Sequence, residues 1–162
     1  MTPTAGTEAT AAEVRHWRNA VVAAYGASGI AFSTWVSRLP AIRDGLEWSG
    51  KACDLAVQEE QDVRRDQPSL LRGYAIAPSG APPDAFEIVL AGARAYSIAA
   101  TTGIDRPDVA SYFDDPRLAR SGFRVGVNYS GLEPGRYAVE FHGMQDGRGW
   151  FCESGKTLVV LP

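Results

Sequence analysis

"GFRVGVNYSGLEPGRYAVEFHG", residues 122–143, decides the fold class. In its first limb Phe123, Val125, Val127 and Tyr129 alternate with Arg124, Gly126, Asn128 and Ser130. In its second limb Tyr137, Val139 and Phe141 alternate with Ala138, Glu140 and His142. A period of two is the mark of an antiparallel strand with one buried face. Gly131, Pro134 and Gly135 lie between the limbs and supply a turn of hairpin length. The expected hairpin holds its aromatic and aliphatic residues inward and sends Glu140 and His142 outward.

Similar but less regular strands are predicted over 72–78, 85–92, 94–103, 149–154 and 156–161, separated by loop chemistry such as "APSGAPPD" and "QDGRG". About seven short strands at this spacing predict an all-β domain, an Ig-like antiparallel β-sandwich, over residues 70–162. Its expected core is Phe86, Ile88, Leu90, Phe123, Val125, Val139, Phe141 and Leu158. One short helical insertion is predicted over 104–122. Pro107 suits a first helical position, Asp108 lies at the positive end of the helix dipole, and Pro116 stops or restarts the helix. Val109, Tyr112 and Phe113 are expected to cover an open end of the sandwich.

Towards the N-terminus the pattern changes. Residues 19–37, "NAVVAAYGASGIAFSTWVS", carry no charge, with Arg15 and Arg18 before them and Arg38 and Arg43 after. A helix of that length rises about 28 Å, close to the hydrocarbon thickness of a bilayer. Trp17 and Trp35 sit near its ends, where indole favours the membrane interface. Residues 15–46 are therefore expected to form a single transmembrane-like helix and an amphipathic turn, with membrane lipid or partner membrane helices contacting 19–37. Residues 47–69 carry few apolar side chains and balanced charge, and are expected to be a polar linker or a surface helix. Residues 1–14, small and polar, are expected to be a disordered tail.

Composition narrows the function. With 162 residues and 45% hydrophobic content, the chain has room for one ordinary domain with an appendage. A net charge of −3 gives no electrostatic ground for nucleic acid. Cys53 and Cys152 have no metal-site spacing. They could pair outside the cytoplasm, but nothing in the sequence brings them close, and two separate thiols are expected. No P-loop, GxGxxG, HExxH, EF-hand loop or GxSxG elbow occurs. The residues accordingly suggest no catalytic, cofactor-binding or metal-binding group. His142 beside Glu140 has the makings of a general base, yet an exposed strand histidine is the expectation. Tyr74, Tyr96, Trp150 and Phe151 cannot all be placed inside by period-two counting, and rings flanked by Arg and Asp are what a sugar face requires. The candidate ligand contacts are Tyr74, Arg106, Asp108 and Trp150.

Two stretches carry resemblances. "RHWRNAVVAAYGASGIAFSTWVSRLPAIRDGL", residues 15–46, resembles the first membrane helix of a major facilitator superfamily transporter, most specifically in "SRLPAIRD". That family needs about a dozen membrane helices, so no transport residue carries over. The series "RGYAIAP", "PPDAFEIVLAG", "ATTGIDRPDVASYFDDP" and "SGFRVGVNYSGLEPGRYAVEFHGMQDG" resembles an Ig-like β-sandwich accessory domain found at the ends of bacterial glycosyltransferase-like membrane proteins. Tyr74 stands where that pattern has Trp, and Ala77 where it has Asp. The resemblance implies a non-enzymatic accessory module near a membrane or an envelope polysaccharide, and the transporter resemblance implies that the sandwich lies extracytoplasmic at the cell membrane, where a protein or glycan is the expected contact. The competing expectation is a truncated transporter fragment fused to an unrelated β domain, without transport activity of its own.

Overall fold

In a computed structural model, residues 32–38 and 42–162 are described. They form an all-β body with a short helical insertion. The strands are β1 (Phe32–Thr34), β2 (Val36–Arg38), β3 (Leu46–Trp48), β4 (Cys53–Leu55), β5 (Glu60–Arg64), β6 (Ser69–Ala75), β7 (Ala85–Ala91), β8 (Ala95–Ile104), β9 (Gly122–Asn128), β10 (Gly135–Gln145) and β11 (Arg148–Leu161). The insertion between β8 and β9 holds helix α1 (Pro107–Tyr112) and a 3-10 turn, Pro116–Arg120.

The strands join in one curled sheet, in the order β3-β11-β10-β7-β8-β9-β6-β4, with β1 on β9, β2 on β8 and β5 on β11. This corrects the expected seven antiparallel strands in number and in direction. β1 runs parallel to β9, and both β3 and β5 run parallel to β11. The long β8 turns the corner, pairing with β7 through Ala95–Thr101 and with β9 through Thr102 and Ile104. The sheet thereby folds over itself like a half-barrel and encloses a core. Phe86, Phe123 and Phe141 meet there in a triangle, each pair of rings 5.3 Å apart. Ile88, Leu90, Val139 and Leu158 are buried around them as the alternation predicts, while Val125 is only partly buried.

Two expectations about the N-terminal third are corrected. The uncharged run does not continue as a helix to Ser37, because β1 and β2 take up residues 32–34 and 36–38. Aromatic and β-branched residues in "FSTWV" favour the extended chain, and Trp35 between the strands is buried, stacked on Tyr129 with centroids 6.4 Å apart. Residues 19–31 of the run, with the rest of the expected helix and the tail at 1–14, lie outside the described residues. Among the described residues, no helix is long and apolar enough to cross a membrane.

Residues 47–69 are neither linker nor surface helix. Cys53 and Leu55 turn inward from β4, and Val63 packs against the core from β5. A few inward residues suffice because polar contacts fix the strands at their edges. The Lys156 ammonium donates to the carbonyls of Leu55 (2.9 Å) and Val57 (3.0 Å) and pairs with Asp54 at 3.1 Å. The β body thus begins well before residue 70.

The expectation of two separate thiols is also overturned. Cys53 on β4 and Cys152 on β11 form a disulfide across 99 residues, with Cα atoms 6.3 Å apart. It joins the two ends of the curled sheet through the core.

Reduction should therefore lower stability by about 3–5 kcal/mol, the range expected for so long a loop, read as a fall in denaturant midpoint with reductant present. Thiol titration of the unreduced, unfolded protein should find no free thiol. Trp35→Ala should cost about 3–5 kcal/mol in the same unfolding experiment; a change near zero would separate residues 32–38 from the body.

Candidate functional site

The helical insertion builds a cleft on the outside of the sheet. α1 begins at Pro107, which needs no hydrogen-bond acceptor for its nitrogen. Val109 and Leu118 are buried against Ile76 in a small apolar cluster separate from the main core, with Tyr74 and Ala110 packed onto it. This cluster fixes the insertion. Asp115 tightens the restart by accepting from the Arg117 backbone N–H at 3.0 Å and pairing with its guanidinium at 2.8 Å.

Next to the cluster lies an open cleft of about 330 Å³, lined by Tyr74, Arg106, Asp108, Val109, Tyr112 and Phe113. Three of the four expected contacts therefore come together. The Arg106 guanidinium donates to both oxygens of Asp108 at 3.0 Å and lies 5.6 Å from the Tyr74 ring centroid. The hydrogen bond from Arg106 holds the Asp108 carboxyl below its ordinary range. Desolvation pushes the Tyr74 hydroxyl up, with the Asp54 charge adding to it. Tyr74 meets Phe113 edge-on at 6.1 Å, and Phe113 meets Tyr112 at 4.9 Å. None of the three residues expected to cover an open end is seen to do so: Val109 is buried in the separate cluster, Phe113 is partly bare, and Tyr112 is 82% exposed. An aromatic ring that bare, beside a fixed Arg–Asp pair, offers stacking and hydrogen bonding to the same ligand.

Trp150 does not join the cleft. It is 2% exposed, in the main core on the inner face of β11 with Cys152. Its indole lies across Gly143, where a Cβ would fall 2.4 Å from the ring; only glycine leaves room for it. Tyr96 is likewise buried, 5.8 Å from Tyr137. Phe151 faces the other way, under the Arg43 guanidinium at 4.2 Å.

His142 is not exposed. It and Glu140 do leave the core face of β10, but the turn after β2 covers that outer surface, and both are buried. His142 Nε2 lies 2.9 Å from Glu140 Oε1. Arg43 donates from Nε to Oε1 of Glu140 at 3.0 Å, from a terminal nitrogen to the second oxygen, and to Glu153 at 2.8 Å. Desolvation alone would raise the Glu140 carboxyl. Hydrogen bonds from His142 and Arg43, with the charge of each, outweigh it and hold the pKa at about 2. Arg43 is the residue that sequence reasoning missed, because its partners lie about a hundred positions away.

Searches against protein-family models, curated proteins and solved structures found no match.

The Glu140 carboxyl binds its proton less tightly folded than unfolded, so it stabilises the fold above about pH 4.5 and loses that contribution as pH falls towards about 2. Glu140→Gln should flatten this acid limb in a plot of unfolding free energy against pH. An unchanged limb would show that other carboxylates carry it.

Proposed function

We propose that this chain is a non-enzymatic contact module of the cell envelope that binds a ligand, foremost a glycan, in the Tyr74–Arg106–Asp108–Tyr112 cleft. The exposed Tyr112 ring beside the Arg106–Asp108 pair carries the reading. Sugars present an apolar face and a rim of hydroxyls, and the cleft offers a complement to each. The Cys53–Cys152 disulfide supports a location outside the cytoplasm, since such bonds persist in oxidising compartments.

An Ig-like character is part of the proposal. A disulfide crosses the core, and the Tyr137 hydroxyl at the start of β10 donates to the Glu133 carbonyl at 2.7 Å, in the manner of a tyrosine corner. An anchoring helix over 19–37 is not part of it, because its last third is committed to strands. Against the competing reading, a transporter fragment joined to an unrelated domain, we set the pairing of β1, β2 and β3 with β9, β8 and β11 of the body.

A glycan array probed with the full chain should show binding to an envelope polysaccharide. Tyr112→Ala should weaken it about tenfold, the loss of roughly 1.4 kcal/mol of stacking. Its stability should stay within about 0.5 kcal/mol. Arg106→Ala should weaken binding as well. No glycan retained, or variants that bind like the parent, would turn the proposal towards a protein ligand.

A further inference from the structure

Next to the cleft, β6 and β9 carry an arrangement of charge that a sheet normally avoids. Arg72 on β6 stands directly opposite Arg124 on β9 in the antiparallel register. Both are exposed, while Leu71, Gly73 and Phe123 beside them are buried, so the two side chains leave the outer face together. Like charges placed in this way, with Cβ atoms about 5 Å apart, destabilise the strand pair. Among the described residues neither guanidinium has a hydrogen-bond or ion-pair partner. The carboxylates beside Tyr74 and Arg106 are engaged elsewhere: Asp54 with Lys156 at 3.1 Å, and Asp108 with Arg106 at 3.0 Å.

The pair is continuous with the cleft. Tyr74 lies two residues beyond Arg72 on the same face of β6, about 7 Å along the strand. Gly122 stands opposite Tyr74 and two residues before Arg124, and the Arg106 side chain lies over it: a Cβ there would fall 2.7 Å from Arg106 Cγ. The outer face thus passes from an exposed ring and a neutralised arginine to two arginines with no acid of their own. In a chain of net charge −3, this local excess of positive charge is a complement to an anion. Guanidinium forks hold carboxylate oxygens two at a time.

We infer that the ligand of the cleft is an acidic glycan, a polymer containing uronic acid, with one carboxylate held between Arg72 and Arg124 and a neighbouring sugar stacked on Tyr112. The inference rests on the glycan reading of the cleft and gives that ligand its charge. A carboxyl carried directly on the sugar ring keeps the charge within reach of both features. An anionic bilayer is a poorer match, because Asp54 and Asp108 flank the pair and would face it. A nucleic-acid backbone calls for a longer basic track.

Trigalacturonate and its fully methyl-esterified form make the test pair, equal in body, the second without charge. Each is titrated into the full chain and followed by NMR, through backbone amides and arginine Nε–H signals. Trigalacturonate should saturate, shift the Arg72 and Arg124 signals, and bind about tenfold tighter than the ester, the factor a charge-assisted hydrogen bond gives. Arg72→Gln and Arg124→Gln should each remove that advantage and leave the ester's binding as it was. Their unfolding midpoints should stay level or rise, since the opposed charges are gone. Arg148→Gln removes the same charge at the start of β11 and should alter neither titration. Tyr112→Ala should weaken both ligands; if it weakens neither, the cleft reading fails and this inference with it. Equal binding of acid and ester, no saturable shift with the acid, or an advantage that survives both arginine variants overturns this inference alone, the cleft reading being decided by the array. Phosphatidylglycerol vesicles should not sediment the chain; sedimentation that Arg72→Gln abolishes would assign the pair to a membrane and overturn the inference as well.

Discussion

At its middle, Val139–His142, β10 is buried on both faces, and the ion group on its outer face is the constraint on which the rest of the structure depends. Tyr137, Val139 and Phe141 enter the core, as an antiparallel strand with one wet face would have them. At Glu140 and His142 the other face is not wet. Glu140 and His142 lie beneath the turn that carries Arg43, and a carboxylate buried there without a cation would be strongly destabilising. Arg43 satisfies both Glu140 oxygens and also reaches Glu153 on β11. Buried ion pairs add little net stability, but they discriminate sharply between arrangements. Here the arrangement chosen is the turn at 42–45 lying over β10, which delivers β3 to the edge of β11.

The interior was legible wherever apolar residues alternated. β9 and β10 turn the expected side chains inward but do not form the expected hairpin, since β9 pairs with β8 and β6 and β10 with β7 and β11. The Phe86, Phe123 and Phe141 triangle draws on residues that period two had already turned inward. Legibility failed where strands are short and bound by groups remote in sequence. β4 offers only Cys53 and Leu55 to the core, and Lys156 supplies the contacts that hold it. In residues 32–38, a run with helical length and no charge outweighed a local preference for extended backbone in "FSTWV". Charge content reports on transfer to lipid; it does not tell a membrane helix from strands tucked into a sheet.

The site shows the same division. Tyr74, Arg106 and Asp108 converge because "RPDV" fixes the start of α1 and Tyr74 lies on the strand that α1 packs against. Trp150 was misplaced because its strand was read without its cysteine. Once Cys152 is known to face inward, the residue two positions earlier must do the same. The direction of Glu140 and His142 was read correctly but their burial was not, since alternation assigns a side chain to a face and does not say what covers that face.

The strand pairing has a consequence for biosynthesis. β1 finds its partner in β9, and β3 and β5 find theirs in β11, the last strand. A chain emerging N-terminus first must carry these early segments as open templates until β9 and β11 arrive, and distant pairings of this sort close slowly. During synthesis the nascent polypeptide is thus most exposed to sticking to its neighbours until β11 has been made, and a holding chaperone would matter more for this architecture than for one assembled from adjacent hairpins.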